Sequence, residues 1–207
     1  MNLTQYRDKL SLLIDIVSRP FSKIGLTPNQ ITLLSFIFAA IAMIFYYKRI
    51  VYLAPLFLFV SAVLDLVDGN IARKIGLESK FGAAIDWIVD KYIDCLVIIS
   101  ISLGGFVSAK IALFAVFGSM INTFIKPVTY TEIGFEKRVD GKIIDPLEGI
   151  GIFGRPETII VIIVASVLEM FFSSALLYGI YVIAVMTNIS AIDRIIYLYR
   201  SYGRSRP

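Results

Sequence analysis

DLVDGNIARKIGLESKFGAAIDWIVD, residues 65–90, decides the fold of this 207-residue chain. Asp65, Asp68, Gly69, Ala72 and Arg73 fall at i, i+3, i+4, i+7 and i+8, which on a helix makes one stripe along one face. After a short basic turn, Gly82, Asp86 and Asp90 form a second stripe at steps of four. Both stripes sit in apolar surroundings, with LFLFVSAVL (56–64) before the first and YIDCLVIISISL (92–103) after the second. Four carboxylates so placed repel one another and resist desolvation unless something cationic stands among them. A pair of divalent ions is the simplest answer, because Mg²⁺ and Mn²⁺ prefer carboxylate oxygen.

Outward from this stretch the chain is too apolar for an ordinary soluble domain, at 57% hydrophobic residues. The single cysteine, Cys95, excludes an intrachain disulfide and a cysteine-cluster zinc site. There is no histidine, so acid–base work falls to carboxylates, Lys or Tyr. The net charge of +4 is dispersed between apolar segments, which fits membrane topology and not nucleic-acid binding.

The hydropathy pattern predicts an all-α integral membrane protein in one domain over residues 1–207. An amphipathic juxtamembrane helix over residues 2–24 carries Leu10, Leu13, Ile14, Val17 and Phe21 on its apolar face. Six transmembrane helices follow within residues 28–196. Thr27 is placed to cap the first, and Pro28 suits its first position. Pro28–Tyr47 is uncharged for 20 residues, enough to cross a bilayer. Later spans are expected at about 50–75, 80–104, 109–131, 156–169 and 174–196, with a polar loop at 132–154. The fifth is short, with 11 uncharged residues between Glu157 and Glu169. In this layout sixteen lysines and arginines lie on the N-terminal side of the membrane, and three, Lys48, Arg49 and Lys110, on the other. The positive-inside rule then places both termini and the acidic stripes in the cytoplasm.

Written as D-x2-D-G-x2-A-R-x8-G-x3-D-x3-D, the spacing resembles the signature of the CDP-alcohol phosphotransferases, integral membrane enzymes of phospholipid synthesis, with every fixed position filled. The resemblance implies metal-dependent transfer of a phosphatidyl-type group from a CDP-activated lipid, CDP-diacylglycerol or CDP-archaeol, to an alcohol, with release of CMP. It makes Asp65, Asp68 and Asp86 ligands of a two-metal Mg²⁺ or Mn²⁺ site. It makes Asp90 the base for the attacking hydroxyl and a further contact of the metal. Gly69, Ala72, Arg73 and Gly82 would accommodate the CDP donor. It also implies a homodimer in contact with membrane lipids.

Lys126, Arg155 and Arg194 stand at three cytoplasmic span ends. Each alone reads as an interfacial anchor. Together they resemble the acceptor-phosphate set of the phosphatidylinositol-phosphate and archaetidylinositol-phosphate synthases, which implies a phosphorylated polyol acceptor, inositol phosphate, and convergence of the three beside Asp90. That group follows its lysine with Arg-Ala-Glu, whereas Pro127, Val128 and Thr129 stand here, and the 132–154 loop is longer than expected. Within the family, a di-inositol-phosphate-phosphate synthase or a glycerol-phosphate acceptor are the alternatives. A cation or proton transporter is the alternative outside it, but it would spread its acids about the midplane and show an internal repeat.

Overall fold

The computed structural model describes residues 17, 18, 20, 21, 25–74, 80–133, 138, 139, 142, 143, 147 and 149–203. Six helices account for most of them: α1 (Pro28–Tyr47), α2 (Ala54–Lys74), α3 (Lys80–Leu103), α4 (Ala109–Ile133), α5 (Arg155–Glu169) and α6 (Ala175–Tyr202). Most of the amphipathic segment at 2–24 lies outside the described residues. Within its end, Ser18 and Phe21 are helical and pack towards α1 and α2, Ser18 accepting from Asn70 Nδ2 at 3.0 Å.

Local chemistry sets the helix ends. Thr27 Oγ1 accepts from Gln30 N–H while Gln30 Oε1 accepts from Thr27 N–H at 2.9 Å, a reciprocal cap that starts α1 with Pro28 as its first residue. Glu169, at the end of α5, accepts from the N–H groups of Ser174 and Leu176 at 3.1 and 2.7 Å, and so caps α6 across a tight turn. The loop after α4 holds a short antiparallel hairpin, β1 (Arg138–Val139) and β2 (Lys142–Ile143), with Val139 opposite Lys142.

Four helices are long and apolar enough to cross a membrane: α1, α2 over Ala54–Ala72, α4 and α6. The 24-residue α3 misses that test because Asp86, Asp90, Lys91 and Asp94 interrupt it, and α5 is short at 15 residues. The helices nevertheless start and stop close to the positions read from hydropathy. Only α6 runs well past the expected end at 196, because helix formation continues after apolarity stops.

α1 and α2 run antiparallel, with Phe57 against Phe38 and Phe45, Ser35 Oγ donating to Ser61 O at 2.9 Å, and Thr32 reaching Asp68. α3 packs beside α1, α4 pairs with α6, and α5 lies against α6 and α2. The main core joins Ala39, Leu58, Val97, Ile101, Ala115, Ile162 and Ile180 from all six helices. Arg49 fastens the two turns at the end remote from the acidic stripes, standing 5.2 Å from the Phe106 ring centroid.

The bundle buries small polar residues and exposes bulky apolar ones, unlike a water-soluble bundle. Ser35, Ser100, Ser119, Asn122, Ser166, Thr187 and Ser190 are buried, whereas Leu33, Phe114, Phe117, Phe124, Val185 and Ile189 face outward. Small buried residues let helices approach closely, and lipid solvates the bulky ones. At Gly118 of α4, a Cβ would collide with the Thr187 and Asn188 side chains of α6.

Candidate active site

The last turns of α2 and the first turns of α3 bring both acidic stripes to one end of the bundle. Carboxylate oxygens of Asp65, Asp68 and Asp86 lie within 4.8 Å of one another. Asp68 is buried and accepts from Thr32 Oγ1 of α1 at 2.5 Å, which fixes its orientation. Asp65 and Asp86 are partly exposed, so the cluster has a closed side and an open one.

A guanidinium stands among the acids. Arg155, the first residue of α5, directs Nη1 to Asp65 Oδ2 at 2.5 Å and Nη2 to Asp90 Oδ1 at 2.8 Å, with Nε 3.4 Å from Asp94 Oδ1. Asp94 is fully buried and also receives Lys91 Nζ at 2.7 Å, and Lys91 in turn donates to Ser119 Oγ at 3.2 Å. Asp90 Oδ1, Asp94 Oδ1 and Arg155 Nε are nevertheless buried without an aligned hydrogen bond. Charge attraction holds these groups while their bonding capacity stays partly unused.

The turn that delivers Arg155 is fixed from behind. Asn122 Nδ2 and Ser190 Oγ both donate to Phe153 O, at 2.8 and 2.9 Å, and Gly151 N–H donates to Asp193 Oδ2 at 3.2 Å. Arg194, 3% exposed, donates from Nε to Ile150 O at 3.0 Å and from Nη1 to Asn122 O. Gly151 has φ +88°, and a Cβ on it would collide with Ser190 Oγ and press on Arg194 Nε at 3.1 Å. Gly151→Ala combines that collision with a backbone conformation costing about 1–3 kcal/mol for a non-glycine residue. Its thermal midpoint in detergent should fall by roughly 2–10 °C at the scale of a 150–250-residue protein. An unchanged midpoint would mean that the turn is not so fixed.

The predicted site residues therefore occupy distinct positions. Asp65, Asp68 and Asp86 form one cluster, and Asp90 stands one turn along α3 beside Arg155. Gly69, Ala72 and Gly82 are partly exposed on the same ends of α2 and α3, and Arg73 lies on α2 with its side chain outside the described part. Arg155 meets the acids directly, whereas the two described bonds of Arg194 hold backbone. Lys126 lies on α4 one turn beyond Asn122, partly buried. Thr32 and Ser119 are the contributors that the spacing did not single out. Asp94 continues the Asp86–Asp90 stripe by one turn, outside the spaced signature, and holds Lys91 as that position suggests.

The residues suit divalent metal. Three carboxylates converge, and the donor set is all oxygen.

Residues 25–190 match the CDP-alcohol phosphatidyltransferase family. The chain is 31% identical to the archaetidylinositol phosphate synthase of Pyrococcus horikoshii over 93% of this chain and 94% of that protein. It is 36% identical to the bifunctional IPC transferase and DIPP synthase of Archaeoglobus fulgidus, over 52% of this chain but 22% of that protein. Among solved structures, it resembles the phosphatidylinositol phosphate synthase of Mycobacterium tuberculosis at 20% identity. The TM-score is 0.75 for the form with CDP-DAG bound, covering 94% of this chain and 98% of that one. It is also 0.75 for the complex with manganese and citrate, covering 94% and 93%.

Proposed function

We propose, from the premise that this chain belongs to the CDP-alcohol phosphatidyltransferase family, that it joins a CDP-activated lipid to inositol phosphate. Membership makes it a membrane transferase of phospholipid synthesis. The lipid donor would be CDP-diacylglycerol or CDP-archaeol. The observation that carries the acceptor reading is the guanidinium of Arg155 set against Asp90, where a phosphorylated alcohol would enter. Likeness to an archaetidylinositol phosphate synthase over nearly the whole chain supports it.

In this reading Asp65, Asp68 and Asp86 hold Mg²⁺ or Mn²⁺, with Asp90 near enough to share in the site. The ions would supply charge neutralisation for the pyrophosphate and for the departing CMP. Gly69, Ala72 and Gly82 leave room for the cytidine nucleotide, and Arg73 pairs with one of its phosphates. Asp90 takes the proton of the acceptor hydroxyl. That oxygen attacks the lipid-bearing phosphorus, and the bond to the CMP oxygen breaks. Arg155 grips the acceptor phosphate, whose charge of roughly −1.5 to −2 would otherwise be repelled by a site already holding pyrophosphate. Lys126 and Arg194 are the further cations of the pocket, Arg194 serving also as its wall. All six helices cross the membrane, with both termini and the site cytoplasmic, in a homodimer.

Purified full-length protein should be assayed with CDP-diacylglycerol and CDP-archaeol against inositol phosphate, inositol, glycerol phosphate and serine. Inositol phosphate should be the preferred acceptor and unphosphorylated inositol a poor one. Arg155→Ala should raise the acceptor KM at least ~10-fold, the scale of one charge-assisted hydrogen bond, while the CDP-lipid KM stays nearly constant. Preference for glycerol phosphate or serine would sink the acceptor assignment. The partial match to the bifunctional IPC transferase and DIPP synthase supports a second reading, a lipid-free coupling. It would show as turnover of CDP-inositol with inositol phosphate.

A further inference from the structure

Asp94 lies outside the spaced signature and is nevertheless fully buried at the centre of the charged network. It stands one turn past Asp90 on α3. One of its oxygens receives Lys91 Nζ at 2.7 Å, and Ser119 of α4 holds the same ammonium at 3.2 Å. Its other oxygen, Oδ1, makes no aligned hydrogen bond and lies 3.4 Å from Arg155 Nε, which makes none either. The two hydrogen-bonding groups of Arg155 beyond Nε are directed at Asp65 and Asp90.

Those two partners are the ones the reaction needs. Divalent ions at Asp65 would repel a guanidinium held on the same carboxylate, and an acceptor at Asp90 would displace it from there. Asp94 is not among the three clustered carboxylates, so it can retain Arg155 throughout. We propose that Asp94, clamped by Lys91 and Ser119, is the positioning residue of Arg155. It keeps the guanidinium at the site by Nε while Nη1 and Nη2 exchange carboxylates for the acceptor phosphate. Arg155 thus stands in for the metal charge until the metal arrives, and Asp94 provides the fixed point about which it turns. This inference rests on the metal and acceptor readings above.

The test uses full-length protein in detergent and Mn²⁺ alone, with unbound Mn²⁺ followed by its electron paramagnetic resonance signal. Without the Asp94 charge, Arg155 should settle more firmly on Asp65 and compete with the ion. Asp94→Asn should therefore weaken Mn²⁺ binding about tenfold, a scale seen for outer partners of metal ligands. Arg155→Ala should bind Mn²⁺ at least as tightly as the unaltered protein, and the double variant should bind as Arg155→Ala does. In turnover, Asp94→Asn should raise the acceptor KM about tenfold with the CDP-lipid KM unchanged, and Asp94→Glu should recover part of it. Lys91→Met combined with Asp94→Asn leaves no lone buried ammonium and should show the same Mn²⁺ loss, should the single variant fold poorly. Unaltered Mn²⁺ affinity in Asp94→Asn overturns the proposal. So does a double variant as weak as Asp94→Asn, since Asp94 would then act without Arg155. An Arg155→Ala variant with unchanged acceptor KM would instead overturn the acceptor reading, and the Mn²⁺ series would still decide the role of Asp94.

Discussion

Transfer activity should vanish in EDTA and return with Mg²⁺ or Mn²⁺, and Asn at Asp65, Asp68 or Asp86 should lower turnover at least ~10²-fold, in line with single electrostatic contributions in active sites. The three carboxylates converge from two helices, and each Asn removes a formal charge while keeping the side chain's shape. Asp68→Asn is the most informative of the three, because the residue is buried and Thr32 fixes it at 2.5 Å. Its amide oxygen can still accept from Thr32, so helix packing should survive and the loss should be one of charge. Binding of Mn²⁺ should weaken in parallel with activity. Full turnover in chelator would end the metal account and leave Arg155 as the cation of the cluster.

Asp90→Asn should abolish transfer, by ~10²–10⁴-fold if it removes a general base, while Mn²⁺ and CDP-lipid affinity remain close to those of the unaltered protein. The geometry gives the reason for the asymmetry. Asp90 is one turn along α3 from the three clustered carboxylates and faces Arg155 at 2.8 Å. A group so placed can meet the acceptor's hydroxyl once the acceptor's phosphate engages Arg155. The measurement is a comparison of kcat with the KM of each substrate, alongside a Mn²⁺ titration. Equal loss of metal binding and turnover would make Asp90 a further ligand and leave the base to be found elsewhere.

Hydropathy and the i, i+3, i+4 spacing were enough to expect six helices and to put both acidic stripes at one end of them. Thr27 and Pro28 at the start of α1 were legible because a cap is written in adjacent residues. The partners of those stripes were not. Nothing in local spacing says that Thr32 of α1 reaches Asp68, or that Arg155 faces three carboxylates from two other helices. Such pairings depend on which helices become neighbours, and apolar runs do not encode that. Arg194 shows the limit on one residue. A cation at a span end reads as an anchor or an anion ligand, and local spacing does not say that two of its nitrogens also hold the carbonyls of Ile150 and Asn122. The 138–143 hairpin was read as part of a polar loop because its strands are two residues each, too short to show alternation.

The charged cluster sits at one end of the bundle, and core residues such as Leu58, Ile101 and Ile180 lie two helical turns or more from it along their helices, which separates anchorage from selectivity. Ile101, Leu58 and Ile180 can stay as they are while Arg155 or Lys126 is exchanged. A sequence drifting towards a new substrate could therefore keep that part of its core intact, and a redesign around Arg155 can begin from this scaffold without repacking it.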